Sequence, residues 1–315
     1  MKALRFSKFG PPPNLSMEEI PKPVVGAGEV LVQVKAAAIN PSDVKNVSGT
    51  FSATLPRTPG RDFSGIVVEG KWKGEAVWGS GPGLGVNRDG SHAEYVSVPE
   101  LFIARKPSTL SMEQAAAIGV PYMTAWAALM HAAQIHAGET ILIVGAAGAV
   151  GQAATQIAKW KKVRVLGADR SPTPISGVDV TIDTQREDMP ARVREITGGK
   201  GADVVLDAVG GAMFEPALRS LRRGGRQVAI TSTGDKRVSF NLVDFYHNLS
   251  HLIGVDSQAF TPDEVSEISS ELGIGFEAGA LKIAPVETVP FADFAKSYEN
   301  VATGRSGAKQ VLMIS

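Results

Sequence analysis

The chain has 315 residues, with 32 Lys+Arg against 32 Asp+Glu, 43% hydrophobic and 20% charged residues, and no cysteine. This composition fits a folded polypeptide of about two domains, and zero net charge offers no whole-molecule attraction to nucleic acid or an anionic membrane. Without cysteine there is no disulfide, thiol nucleophile, thiolate-bound zinc or iron–sulfur cluster.

The opening MKALRF leads through Lys8 into Gly10-Pro11-Pro12-Pro13, with no apolar run of the kind a secretion signal needs. Residues 115–130 and 141–157 are the most apolar stretches. The first is broken by Pro121, Tyr122 and Thr124, the second by Gly145, Gly148, Gly151 and Gln152, so neither predicts a membrane span. A soluble, cytoplasmic protein is expected. Residues 29–35 (EVLVQVK) alternate apolar and polar, which predicts a half-buried strand, and 62–68 (DFSGIVV) and 93–98 (AEYVSV) predict two more. Pro21 and Pro23, then Pro56, Pro59 and Gly60, then the glycines of 79–85 punctuate them. Short strands so separated predict an antiparallel, barrel-like first domain over 1–114.

From Ser111 the pattern changes. Ser111 followed by Glu113 is a helix-start signal, predicting a helix over 111–117, and 121–133 is helical in composition. Strand 140–144, helix 150–159, strand 163–168, helix 187–197, strand 204–208, helix 214–222 and strand 227–231 then alternate, and 251–255 closes the series. This alternation predicts a doubly wound parallel sheet over 115–258. A helix over 262–273 follows, and β patterns at 282–289 and 310–314 send the segment 259–315 back to the first domain. The fold class is therefore α/β, with a β-rich domain beside the parallel-sheet domain.

The sharpest local feature is Gly145-Ala146-Ala147-Gly148-Ala149-Val150-Gly151, set between a predicted strand and a predicted helix. Small residues let the backbone turn sharply and approach a pyrophosphate at the helix N-terminus, and Gly151 lets the helix pack close. A ligand-free glycine turn is the blander reading, and the strand–turn–helix–strand context disfavours it. Gly145, Ala147, Gly148, Ala149, Val150 and Gly151 are the candidate dinucleotide contacts. Asp169, placed to accept from an adenosine ribose and repel a 2′-phosphate, is followed by Arg170, which pairs with phosphate, so NADH and NADPH both stay open. Val209, Gly210, Thr231, Ser232, Thr233, Asp256 and Ser257 follow predicted parallel strands at their C-terminal ends, where ligands of such sheets lie.

Several ordered motifs resemble the zinc-independent quinone oxidoreductase branch of the medium-chain dehydrogenase/reductase superfamily, over essentially the whole length. They are Asn40-Pro41-Ser42-Asp43, the Pro59–Gly65 run PGRDFSG, the Gly90–Tyr95 run GSHAEY, Thr124-Ala125-Trp126, the run DVVLDAVGG over 203–211 and LRRGGR over 221–226. The resemblance implies a GroES-like β-barrel domain and a Rossmann domain with the active site in the cleft between them, a homodimer, and NADPH as the commoner cofactor. Where zinc-dependent relatives carry metal ligands, this chain has Asn40, Arg61 and about Val120, so no metal site is expected. A site without metal ligands suits acceptors that spread charge, namely quinones or α,β-unsaturated carbonyls, with hydrogen-bond donors holding the oxyanion.

The resemblance places Asn40 as donor to the substrate oxygen, against a turn-stabilising role, and Asp43 in a local network, against a helix cap. Thr124 becomes a nicotinamide-side contact, and Tyr122 offers a phenol or a core ring. Lys45 and Arg61 are weaker candidates, and the five histidines show no metal-ligand spacing and receive no catalytic role. Enoyl-thioester reductases share a similar Asn-Pro-Ser-Asp run followed by a catalytic tyrosine. Here Phe51 stands at that place and has no proton to give. Enoyl-thioester reduction is therefore the alternative activity, and a nucleotide-binding structural or nucleic-acid-binding role is the alternative of another class. The latter is disfavoured by the lack of a basic, aromatic-interleaved stripe.

Overall fold

A computed structural model describes residues 1–10, 14–170, 173–305 and 307–314. Pro11, Pro12 and Pro13 of the opening run lie outside the described residues. The chain forms two compact units, Met1–Met123 with Ser257–Ser315, and Thr124–Asp256.

The first unit begins with the antiparallel pair β1 (Lys2–Arg5) and β2 (Ser16–Glu19). Next come β3 (Glu29–Ala38), α1 (Pro41–Val47), β4 (Asp62–Glu69), β5 (Ala76–Gly79), β6 (Tyr95–Pro99), β7 (Ile103–Arg105), α2 (Met112–Ala115) and α3 (Gly119–Trp126). The second unit contains β8 (Thr140–Val144), α4 (Ala149–Trp160), β9 (Arg164–Asp169), β10 (Val180–Asp183), α5 (Met189–Ile196), β11 (Ala202–Asp207), α6 (Phe214–Arg219), β12 (Leu221–Ala229), α7 (Leu242–His247) and β13 (His251–Gly254). The chain then rejoins the first unit with α8 (Pro262–Glu277), β14 (Val286–Pro290), α9 (Phe294–Ala302) and β15 (Lys309–Met313).

β3 is the spine of the first unit. Its alternating sequence extends into three small alanines, and it pairs with β4 along its length, with β6 near its start and with β15 near its end. Among the described residues the sheet order is β14-β15-β3-β4-β5-β7, with β6 added on β3. The returning tail thus completes the sheet. Ala36, Ala38, Ala116 and Val311 pack together where β15 meets β3, because methyl-sized residues let the strands and α2 approach closely.

The second unit is an all-parallel sheet in the order β10-β9-β8-β11-β12-β13. Numbered within the unit, this is the doubly wound order 3-2-1-4-5-6, whose direction of winding reverses beside β8. β8 reads TILIV without alternation because helices cover both faces of a parallel sheet. Leu142, Val144, Leu166, Val205 and Leu218 are central to its core.

Two expectations are corrected, and one strand is added. The helix predicted to run to 222 stops at Arg219, because Leu221 pairs with Ala202 and starts β12. β10 was not expected: its four residues VTID are short and polar, and only pairing with β9 makes them a strand. The helix predicted over 121–133 loosens into a π-helical stretch over Ala127–Ala132, with the Ala133 N–H reaching the Ala128 carbonyl. Among the described residues, no helix is long and apolar enough to cross a membrane.

Candidate functional site

In the first unit, Asn40 leaves β3 and caps α1, with Pro41 preset for the first helical position. Asp43, in the first turn, accepts the Asn40 backbone N–H on Oδ2 at 2.7 Å. The Asn40 side chain reaches across to Asp62, the first residue of β4, with Nδ2 donating to Oδ2 at 2.9 Å. Asp62 also accepts the Val120 N–H at the start of α3, at 2.9 and 3.0 Å to its two oxygens. Gly119 makes this approach feasible, since a Cβ there would lie 2.1 Å from Asp62 Oδ1. From the far end of the chain, Lys309 of β15 donates from Nζ to Asn40 Oδ1.

A second buried pair adjoins this cluster. His92 contacts the Ala38 carbonyl through Nε2 at 3.2 Å and the Tyr298 hydroxyl through Nδ1 at 2.7 Å. A carbonyl only accepts, so Nε2 carries the proton and Nδ1 receives the Tyr298 O–H. Gly60, at φ +101°, leaves room for the imidazole, which a Cβ would meet at 2.4 Å. Arg61, 5% exposed, donates from Nη2 to Ser257 Oγ at 3.2 Å and to its carbonyl at 3.3 Å.

Burial decides the titration of these groups. Asp43 is pushed up to about 7, by burial first and then by the Asp62 charge. The Asn40 N–H, Arg61 and Lys309 oppose this. Burial, helped by the Lys309 charge, pushes His92 down to about 4 against the pull of the Ala38 carbonyl. Lys309, half-buried along its stem, is lowered by burial of its ammonium, with Asp62 and Asp43 pulling the other way. Burial and the Asp43 charge raise the Tyr298 phenol well above its ordinary value.

The second unit holds the glycine turn. Gly145 takes φ +83°, and Gly151 is packed so tightly that a Cβ would lie 2.3 Å from the Gly145 carbonyl oxygen. Gly148 caps α4 with φ −72°, and no side chain bonds the helix start. A Cβ there would meet only the Gly145 oxygen, at 3.3 Å, and Ala147, Gly148 and Ala149 are exposed. The start of a twelve-residue helix thus presents its amides and partial positive charge to open space beside Val150. A dinucleotide diphosphate fits this cradle.

Asp169 braces the turn, with Oδ2 accepting the Ala147 N–H at 3.0 Å and Oδ1 the Arg170 N–H at 2.7 Å. Asp207, ending β11, accepts the Val209 and Gly210 amides on Oδ1 at 3.0 and 2.7 Å, and the Thr233 N–H closes onto the Val209 carbonyl at 2.8 Å. Thr231, Ser232 and Thr233 follow β12, with Ser232 Oγ donating to the Asp235 carbonyl at 2.8 Å. Thr124 Oγ1 is buried without a hydrogen-bond partner, an orphaned hydroxyl that a carboxamide such as nicotinamide's would satisfy. Asp256 ends the second unit, whereas Ser257 lies in the first and engages Arg61.

The sequence-derived candidates thus fall into two groups, Asn40 and Asp43 in one cluster and the Gly145–Gly151 residues with Asp169 and Arg170 in the other. Tyr122 is tied elsewhere: its hydroxyl donates to the Lys282 carbonyl at 2.6 Å and its ring meets Phe276 edge-on at 5.0 Å. Sequence reasoning missed Asp62, Lys309, His92 and Tyr298 as cluster members. Asp62 carried a signal in its Pro-Gly-Arg-Asp run, while Lys309 and Tyr298 carried none before the tail was placed against β3. The donor set does not fit zinc. Asn40 spends its oxygen on Lys309, Arg61 is a cation, Val120 contributes only its backbone, and among the described residues no three His, Asp or Glu groups converge.

The family model for the alcohol dehydrogenase GroES-like domain matches residues 26–108, and the zinc-binding dehydrogenase model matches 149–272. A zinc-type alcohol dehydrogenase-like protein of Schizosaccharomyces pombe is 36% identical, over 90% of this chain and 87% of its own. The quinone oxidoreductase of Pongo abelii is 30% identical over 100% and 98% of the two chains. The chain belongs to the zinc-independent quinone oxidoreductase branch of the medium-chain dehydrogenase/reductase superfamily. It is an NAD(P)H-dependent oxidoreductase. The solved native structure of a mycobacterial protein complexed with NADPH superposes with a TM-score of 0.88 at 25% identity, covering 99% of this chain and 100% of that one.

Proposed function

We propose that the enzyme transfers hydride from NADPH to a quinone or an α,β-unsaturated carbonyl. The observation that carries this reading is Asn40, an amide donor held between Asp62 and Lys309 at a position where zinc-dependent relatives hold metal. When bound, the nicotinamide supplies the hydride. Asn40 Nδ2 donates to the acceptor's carbonyl oxygen and stabilises the charge that a conjugated system spreads onto it. Asp43 holds a proton on its buried carboxyl up to about pH 7, within the same cluster. On the cofactor side, the amides opening α4 receive the diphosphate and Thr124 Oγ1 takes the carboxamide. NADPH is the commoner cofactor that the family resemblance implies; Arg170 offers a cation for its 2′-phosphate, while Asp169 beside it suits the ribose of NADH, so the test runs both.

The test follows NADPH and NADH oxidation at their absorbance with 9,10-phenanthrenequinone, a simple enone and crotonyl-CoA. Turnover of the first two acceptors, faster with NADPH, is expected. Turnover of crotonyl-CoA alone identifies an enoyl-thioester reductase instead, and cofactor binding without turnover of any acceptor overturns the enzymatic reading. The homodimer belongs to the same proposal. β13 lies at one end of its sheet, and Leu242, Val243, Tyr246, Leu249 and Leu252 are exposed on or near it. Light scattering is expected to return twice the chain mass.

A further inference from the structure

We propose that Lys309 is a positioning residue for the reaction: its ammonium fixes and polarises the Asn40 carboxamide, so that the second N–H of that amide meets the substrate oxygen as negative charge develops there. This rests on the reading of Asn40 as the donor to that oxygen.

Register supplies the first support. β15 runs antiparallel to β3 with Val311 opposite Ala38, Leu312 opposite Ala37 and Met313 opposite Ala36, and the Ile39 N–H donates to the Gln310 carbonyl at 3.0 Å. One further step along both strands brings Lys309 level with Asn40, where Nζ meets Oδ1. A backbone ladder sets the pair, so the contact costs little side-chain entropy to hold.

The second support is the state of the amide. Its oxygen is held by Lys309, and one hydrogen of Nδ2 goes to Asp62 at 2.9 Å. Rotating the group by half a turn would set oxygen against carboxylate and N–H against ammonium, so two opposite charges select a single orientation. No described residue accepts the second N–H. A cation on the carbonyl end draws electron density from the nitrogen and strengthens the remaining donor.

Charge is the third. The Asp62 carboxylate lies against the Asn40 amide and repels an oxygen gaining negative charge there, and Asp43 adds its own charge only as pH climbs past about 7. Lys309 and Arg61 both oppose this repulsion, and Arg61 also donates from Nη2 to Ser257. Lys309 is the cation whose head group meets Asn40 itself.

The experiment uses the full chain with Lys309→Gln, Lys309→Arg, Asn40→Ala and the Lys309→Gln/Asn40→Ala double variant. It measures kcat and KM with 9,10-phenanthrenequinone and NADPH affinity without acceptor. A third readout is titration of the Asp43 carboxyl by 13C NMR in cofactor-free protein. Lys309→Gln is expected to lower kcat about 100-fold while KM and NADPH affinity stay within about twofold. Asp43 should then bind its proton about tenfold more tightly, because a neighbouring cation is gone. Lys309→Arg should restore most of kcat and the original titration. In the Asn40→Ala background, Lys309→Gln should change kcat by no more than about twofold.

Wild-type kcat in folded Lys309→Gln overturns the inference. So do equal losses in the Gln and Arg variants with an unmoved Asp43 titration, the mark of a purely structural lysine, and so do additive losses in the double variant. If Lys309→Gln does not fold, Lys309→Arg decides alone: it must keep at least about a tenth of kcat and the wild-type Asp43 titration. A wild-type protein that reduces neither quinone nor enone overturns the parent reading and this inference with it. A wild type that reduces them, with variants that match its kcat, overturns this inference alone.

Discussion

The two units prepare for chemistry in opposite ways. Around Gly148 the second unit removes side chains and leaves helix amides facing open space. Around Asn40 the first unit crowds two carboxyl groups, an ammonium and a guanidinium into its interior, tied to the Asn40 amide and backbone, the Val120 N–H and Ser257. An empty cradle can be specified by a few adjacent small residues. A buried charge cluster needs partners from β3, β4, α1, α3 and β15, because any charge left unpaired there is expensive.

The largest effect is expected at the hub of the crowded side. Asp62→Ala deprives the Val120 N–H and the Asn40 amide of their acceptor and leaves the nearby cations uncompensated. Urea unfolding should show a loss of about 3–5 kcal/mol; a loss below about 1 kcal/mol would mean the cluster behaves like a surface ion pair.

The cradle should respond in binding and not in stability. Gly148→Val keeps an ordinary φ and meets only one oxygen at 3.3 Å, yet fills the space in front of the helix amides. NADPH affinity should fall about 100-fold or more, roughly 2.7 kcal/mol, with Tm near wild type. Gly151→Val, whose Cβ would lie 2.3 Å from the Gly145 oxygen, should instead cost about 3 kcal/mol of stability. If both variants lose only stability, the open space is not a diphosphate site.

pH separates two members of the cluster. The folded state raises Asp43 to about 7, so it holds a proton that the unfolded chain releases, and its contribution to stability is lost as pH climbs from about 4 to 7. His92 is lowered to about 4, so its contribution is present above its unfolded value and lost as pH falls from about 6.5 to 4. In the window they share, the slopes oppose each other. Asp43→Asn should leave stability rising with pH by up to roughly 1.4 kcal/mol per unit, and His92→Gln should leave it falling. Urea midpoints at pH 4.5 and 6.5 measure this, and parallel profiles in the two variants would contradict the opposed slopes.

A smaller effect is expected from Tyr298→Phe, which leaves His92 Nδ1 buried without its donor and should cost about 1–3 kcal/mol with kcat nearly unchanged. Smallest of all is the response to metal. Exhaustive chelation should leave turnover intact and added zinc should not raise it; activity lost to a chelator and restored by zinc would show that the donor set had been misjudged.

Most of the second unit was legible in the sequence. The apolar run of β8, the glycine turn and α4 are consecutive, so local pattern alone orders them. β10 escaped because four polar residues become a strand only beside β9. The first unit was legible as strands, but its site was not. Asn40 and Asp43 stood out as a motif three residues apart, while Lys309 lies 269 positions from Asn40 and looked like any lysine near a chain end. Tyr298 and His92, 206 positions apart, were equally silent.

Fold class, the dinucleotide cradle and the absence of thiolate chemistry were properties of the sequence by itself, because they depend on composition and on neighbours in the chain. Which charges meet was decided only when β15 took its register against β3 and α3 presented Val120 to Asp62. Burial then shifted proton affinities that no linear pattern encodes, since desolvation and Coulomb attraction depend on distance through space and not along the polypeptide.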